Sequence, residues 1–195
     1  MINVKSDFIG DFKLGDNLNH NLRILSSLYS AQQEAAEDER EILCKPIIVF
    51  LASICEAVLG DLHMRIREFT QEGVSNVDKA VCDHVRAKKI DEFGKYIDSV
   101  KKHGFFGSTE EGLYDALHTL RKLRNRIHIQ NDKNNFERDE YEVYTLGRQE
   151  EAEQAVEKVF RLMEEKYSRS GYPIGYVDDF VLPWSPGNPP ILNAS

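Results

Sequence analysis

The stretch EGLYDALHTLRKLRNRIHIQ, residues 111–130, decides how the chain folds. At about 100° per residue, Leu113, Ala116, Leu117, Leu120, Leu123 and Ile127 fall in one stripe roughly 120° wide, the width of a helix packed on a core. Ser108 with Glu111 three residues later is a capping-box start, so the spacing predicts a helix over 113–130. Arg124 projects into the apolar stripe. Arg121 and His128 lie on its edge within about 20° of each other, with Tyr114 and Asn125 just beyond.

A guanidinium on an apolar face needs a reason, because an unpaired buried charge costs several kcal/mol. Arg124 must meet an acid, or its face must open on a polar cleft or a second subunit. The plainest outcome is a structural ion pair beside a solvated histidine.

Elsewhere the pattern is also helical, so the class is all-α. Leu18, Leu22, Leu25, Leu28 and Tyr29 predict a first helix from Asp16 or Asn17 to about Gln33. The acidic run 34–41, EAAEDERE, reads as a solvated continuation or connector. From Pro46, IIVFLASICEAVLGDLHMRIREF is apolar on nearly all sides through Leu59, which marks a helix buried all round, at the centre of a bundle or in a dimer interface. Glu56 interrupts that run and needs a cation; Arg124 or Arg121 supplies one.

A third helix is predicted from about Asn76 to Lys89, and a fourth carries Phe93, Ile97 and Val100 inward, ending at Gly104. Tyr141–Thr145 alternates like a short extended piece. A last helix runs from about Leu146 to Tyr167.

Five of six prolines and the single tryptophan lie in residues 171–195, so this part reads as an extended tail. Tyr172, Tyr176, Phe180 and Trp184 would anchor it to its own helices or to a protein partner. The boundaries expected are an arm at 1–15, a helical domain at 16–168 and the tail at 169–195.

The 195 residues carry 25 Lys and Arg against 33 Asp and Glu, a net charge of -8, which argues against a general nucleic-acid coat. Four of those cations lie in RKLRNR, residues 121–126, so positive charge concentrates beside His128. Three cysteines without a CxxC pair fit a reduced, cytoplasmic setting. The longest apolar run, Pro46–Cys55, is short for a bilayer span, and no membrane is expected. His20, His63, His84, His103 and His118 are scattered and show no HExxH or Cys/His spacing, so no metal or other cofactor is expected.

Two cations and an imidazole on one helix edge suit an anionic substrate with a labile proton. In ribonucleotide cleavage the 2′-hydroxyl loses a proton, the phosphate gains charge and the 5′-oxygen is protonated; histidine moves protons and arginine holds phosphate oxygens bidentately. One histidine does not easily serve both ends of an in-line displacement, so a two-fold dimer that doubles the set is attractive.

With ICEAVLGDL in an earlier buried helix, LRKLRNRIHIQ resembles the HEPN superfamily (higher eukaryotes and prokaryotes nucleotide-binding domains), whose signature is an arginine separated from a histidine by four to six residues, often with a polar residue directly after the arginine. Arg121 and His128 have six residues between them; Arg124–Asn125 looks like the arginine-polar step but has only three residues before His128. The resemblance covers roughly residues 16–168. It implies an up-and-down helical bundle, a homodimer, and metal-independent endoribonuclease activity in the active members, many of which act in toxin–antitoxin pairs, virus defence or RNA processing. Other members only bind nucleotides or proteins. The site expected on this basis is Arg121, Arg124, Asn125 and His128 for catalysis, Lys122, Arg126 and Tyr114 for RNA, and Glu56 as structural partner. A neutralising protein could engage the tail.

Overall fold

In the computed structural model the chain is mostly helical. The structure describes residues 1–68, 74, 76–107, 110–128, 136–137, 139–169 and 177–184. Its elements are β1 (Ile2–Val4), α1 (Phe12–Glu34), a 3-10 turn (Arg40–Leu43), α2 (Cys44–Glu68), α3 (Lys79–Arg86), α4 (Phe93–Lys102), α5 (Glu111–Asn125), α6 (Glu140–Val143), α7 (Leu146–Tyr167) and β2 (Phe180–Leu182).

α2 is the centre. It packs against α1, α3, α4, α5 and α7, and Ile47, Ile48, Leu51, Cys55, Val58, Leu59, Leu62 and Ile66 are all fully buried. With the 3-10 turn before it, the segment Arg40–Glu68 is long and apolar enough to cross a membrane by length and composition, with a mean hydropathy of 2.2 over 18 residues; half of that window is buried inside the molecule, as a core helix requires. The sequence measure over Pro46–Cys55 took in only part of this segment.

α1 starts earlier than the periodicity suggested. Asp11 is its N-cap, its Oδ1 accepting from the backbone N–H of Lys13 (2.8 Å) and Leu14 (3.2 Å). Behind it Asp61 of α2 accepts from Gly10 N–H (2.9 Å) and Asp11 N–H (3.1 Å). Arg65, one turn along α2, donates from Nη1 to the carbonyls of Phe8 (2.5 Å) and Tyr167 (3.1 Å). Asp61 and Arg65 are 1% and 2% exposed, so two buried charged side chains, each bonded to backbone groups, pin the arm to the helices. Gly15, inside α1, lets Val177 pack directly on its Cα: a Cβ there would come within 2.7 Å of both Val177 methyls.

Between α1 and α7 the amides of Gln32 and Gln149 bond reciprocally at 2.9 and 3.0 Å, and Glu153 accepts from Gln149 Nε2 (2.9 Å) and Tyr29 Oη (2.5 Å). Burial of these polar groups is tolerated because each finds a partner.

The arm and tail pair as an antiparallel two-stranded sheet, with Ile2 opposite Leu182 and Val4 opposite Phe180. Phe180 is fully buried and meets Phe8 at 5.7 Å and Phe160 at 5.4 Å, while Trp184 lies 6.3 Å from the Tyr29 ring. These two aromatics anchor residues 177–184 on the chain's own core. Tyr172 and Tyr176 lie outside the described residues.

Two further expectations are corrected. Tyr141–Thr145 is not extended: Glu140–Val143 form one helical turn, Val143 and Tyr144 are buried, and Thr145 caps α7 through Arg148 N–H at 3.3 Å. An isolated alternating segment with no strand beside it leaves its backbone groups unpaired, and the local turn satisfies them. α3 is shorter than 76–89, being confined to Lys79–Arg86 with Cys82 and Val85 inward.

Candidate functional site

α5 lies against α4 and α2. Leu113, Leu117, Leu120 and Leu123 form its buried stripe, as the periodicity predicts. Its ends differ from the sequence reading. The N-cap is Glu110, which makes no side-chain capping bond but pairs with Lys158 at 3.2 Å; Ser108 lies outside the described residues. At the other end α5 stops at Asn125, and Arg126, Ile127 and His128 follow in a turn closed by Arg126 N–H on Lys122 O (3.2 Å) and Ile127 N–H on Arg124 O (3.1 Å). Ile127 is therefore exposed at 47% rather than part of the core stripe. Gln130 lies outside the described residues.

That early stop removes His128 from the helical wheel. It is exposed, three residues past the end of α5, and its position relative to Arg121 is set by the turn rather than by a shared helix edge.

Arg124 does find an acid: its Nη2 bonds Glu56 Oε2 on α2, and its Nη1 donates to Asn125 Oδ1 at 3.2 Å. The two side chains are 35% and 24% exposed, so the pair is open on one side. Arg121 points instead at α4. Its aliphatic stem and Nε lie over Gly94, where a Cβ would come 3.3 Å from Cδ and 3.5 Å from Nε. Its Nε is enclosed without a hydrogen-bond partner. Lys122 is exposed; Asn125 and Arg126 are half-buried.

Tyr114 is misplaced by the sequence reading. It is 2% exposed, with Lys101 Nζ 5.8 Å from its ring centre. Ten residues from Arg124, it sits ~15 Å up the helix at ~1.5 Å per residue. A buried ring cannot stack a base, so Tyr114 belongs to the core.

Sequence reasoning set His118 aside among scattered histidines. Its Nε2 is 3.2 Å from Asp98 Oδ1 on α4, one turn before Arg121 on the same helix. The signal was available: His118 and Arg121 are three residues apart, and neighbours at that spacing share a helix face.

On the far side of Glu56 an open groove of about 350 Å³ runs along α2, with Asp11, Asp91, Tyr96 and Met64 among its lining residues. Its carboxylates disfavour an anion. Among the described residues no three His, Cys, Asp or Glu side chains gather as a metal site. No protein-family model, curated protein or solved structure matches this chain. The site stands on its own geometry.

Proposed function

We propose that this chain is a HEPN-like, metal-independent endoribonuclease whose site is the end of α5, with Arg121 and Arg124 binding the scissile phosphate, Asn125 orienting Arg124, and His128 moving protons. The observation that carries this reading is the half-exposed chain Glu56–Arg124–Asn125. A guanidinium fixed by a carboxylate on one side and an amide on the other presents its remaining N–H groups in a set direction, which is how an arginine recognises phosphate oxygens. His128 stands exposed four residues on, and Lys122 and Arg126 add charge. In this reading a homodimer brings a second histidine to the same phosphodiester, one imidazole taking the 2′-hydroxyl proton and the other protonating the 5′-oxygen. Toxin, defence or RNA-processing roles belong to this same reading.

One observation favours a second reading, an inactive dimeric interaction or nucleotide-binding module. Both Nη groups of Arg124 are already engaged, and Arg121 Nε is enclosed.

The test is cleavage of single-stranded RNA by the purified chain in EDTA. The nuclease reading requires products ending in 2′,3′-cyclic phosphate and loss of at least 100-fold in rate in His128→Ala with an unchanged circular dichroism spectrum. Undiminished cleavage by that variant refutes the assignment. No cleavage by the wild type, together with thermal stabilisation by mononucleotides, selects the nucleotide-binding module.

A further inference from the structure

α4 and α5 run antiparallel, and their facing residues form a register: Gly94 against Arg121, Asp98 beside His118, Lys101 over Tyr114. The Arg121–Arg124 cluster therefore lies at the start of α4. At the far end of that helix a second cationic group assembles from two elements. Lys102 is the last residue of α4 and His103 its cap; His84 lies in the last turn of α3 and Lys88 two residues past it.

Three of these four side chains are in contact, and Lys88 stands close enough for its charge to act on both imidazoles. Lys102 Nζ is 3.1 Å from His84 Nε2, and the His84 and His103 rings stand edge to face at 5.1 Å. His103 in turn stacks on Phe105 at 5.7 Å and 27°, a ring only 5% exposed that backs the imidazole like a wall. Gly104, at φ +63°, makes the turn that brings Phe105 behind His103.

Among the described residues none of His84, Lys88, Lys102 and His103 has a carboxylate partner; the nearby Asp83 pairs with Arg86 at 3.9 Å. A cation or two at a helix C-terminus offsets the helix dipole; here two lysines and two imidazoles crowd one junction, with Lys102 donating to an unprotonated His84 Nε2. The neighbouring positive charge disfavours protonation of both imidazoles. The charges of Lys102 and then Lys88 hold His84 below its usual pKa, and His103 is lowered by partial burial, then by His84, Lys102 and Lys88. Such a group is preorganised for an anion.

We propose that His84, Lys88, Lys102 and His103 form a phosphate grip for the backbone of an RNA strand whose scissile bond lies at the end of α5. The inference rests on the ribonuclease reading. From Gly94 to His103 is about 13 Å along α4 at ~1.5 Å per residue, a distance that a few nucleotides of a single strand span. Lys101 lies along the way. A chain of net charge -8 needs such a local positive track to hold a polyanion at all.

The test is the affinity of the full chain for a labelled single-stranded 2′-O-methyl RNA, which has no 2′-hydroxyl to attack, followed by fluorescence anisotropy across a salt series. Lys88 and Lys102 are exposed, so Lys88→Gln with Lys102→Gln leaves the fold intact. This pair is expected to weaken binding roughly 5- to 10-fold at low salt and to flatten the logarithmic salt slope by about 1.4, or ~0.7 per lost contact. Lowering the pH from 7.5 to 6 should tighten wild-type binding as His84 and His103 protonate; the flanking Lys88, Lys102 and, behind Phe105, His63 bring no carboxylate to oppose this. His84→Gln with His103→Gln should lose that pH response.

Unchanged affinity and salt slope in the lysine pair overturn the grip alone. RNA bound through these residues but left intact when unmodified upholds the grip and overturns the nuclease assignment. A wild type that binds no RNA overturns both.

Discussion

Arg124 of α5 and Glu56 of α2 are bonded across the helix interface, each supplying the counter-charge that the other's apolar helix face lacks. Removing one member leaves the other half-buried without its counter-charge. Glu56→Gln is expected to cost about 1–2 kcal/mol, discounted from a fully buried pair because both groups retain solvent contact. Against an exposed control such as Glu37→Gln, urea denaturation should show the difference, and Glu56→Leu with Arg124→Leu should recover much of it. A Glu56→Gln protein as stable as the control contradicts a structural role for the pair.

His63 makes stability depend on pH. It is 3% exposed against Tyr96 and Phe105, its Nδ1 is 2.7 Å from Leu59 O, and burial pushes its pKa down to about 4. The unfolded chain, with a histidine near 6.5, takes up the proton first as pH falls. This contribution is therefore fully present above about pH 6.5 and is lost on acidification towards pH 4, by about 3 kcal/mol. Denaturation at pH 7 and pH 4.5 should show a clearly shallower loss in His63→Phe. His84 and His103, lowered in the same direction, leave a residual slope.

Two glycines should respond oppositely to alanine. A Cβ on Gly10 would meet Arg65 Cγ at 2.5 Å and Cδ at 2.9 Å, and Arg65 is held in place by the Phe8 and Tyr167 carbonyls. Gly10→Ala is expected to cost about 1–3 kcal/mol. Gly112, in the first turn of α5, has nothing within 4 Å of its would-be Cβ, so Gly112→Ala should stabilise by up to about 1 kcal/mol. Thermal denaturation of the two variants should bracket the wild type.

Phe180 tests whether the tail belongs to the core. Its ring is fully buried between Phe8 and Phe160, so Phe180→Ala should cost about 3–5 kcal/mol. A change below 1 kcal/mol by denaturant titration would show that residues 177–184 contribute little to folding.

Helices were legible wherever apolar residues recurred with the helical period over many turns. α7 begins and ends at Leu146 and Tyr167 as read, and α4 carries Phe93, Ile97 and Val100 inward. Short or terminal features were harder to read, because packing rather than period decides them. The start of α1 depends on Asp61, fifty residues away in sequence, and the end of α5 on a turn that the sequence pattern continued through.

From the sequence alone followed the mostly helical class, the all-round burial of α2, and the need for a cation at Glu56, since an apolar period and an unmatched charge are local facts with global consequences. Only the tertiary structure decided that Arg124 rather than Arg121 meets that need, that Tyr114 is core, that His128 leaves the helix, and that Asp98 reaches His118. Each of these depends on which side chains from distant segments share one volume, and a one-dimensional period carries the direction a residue faces but not what stands opposite it.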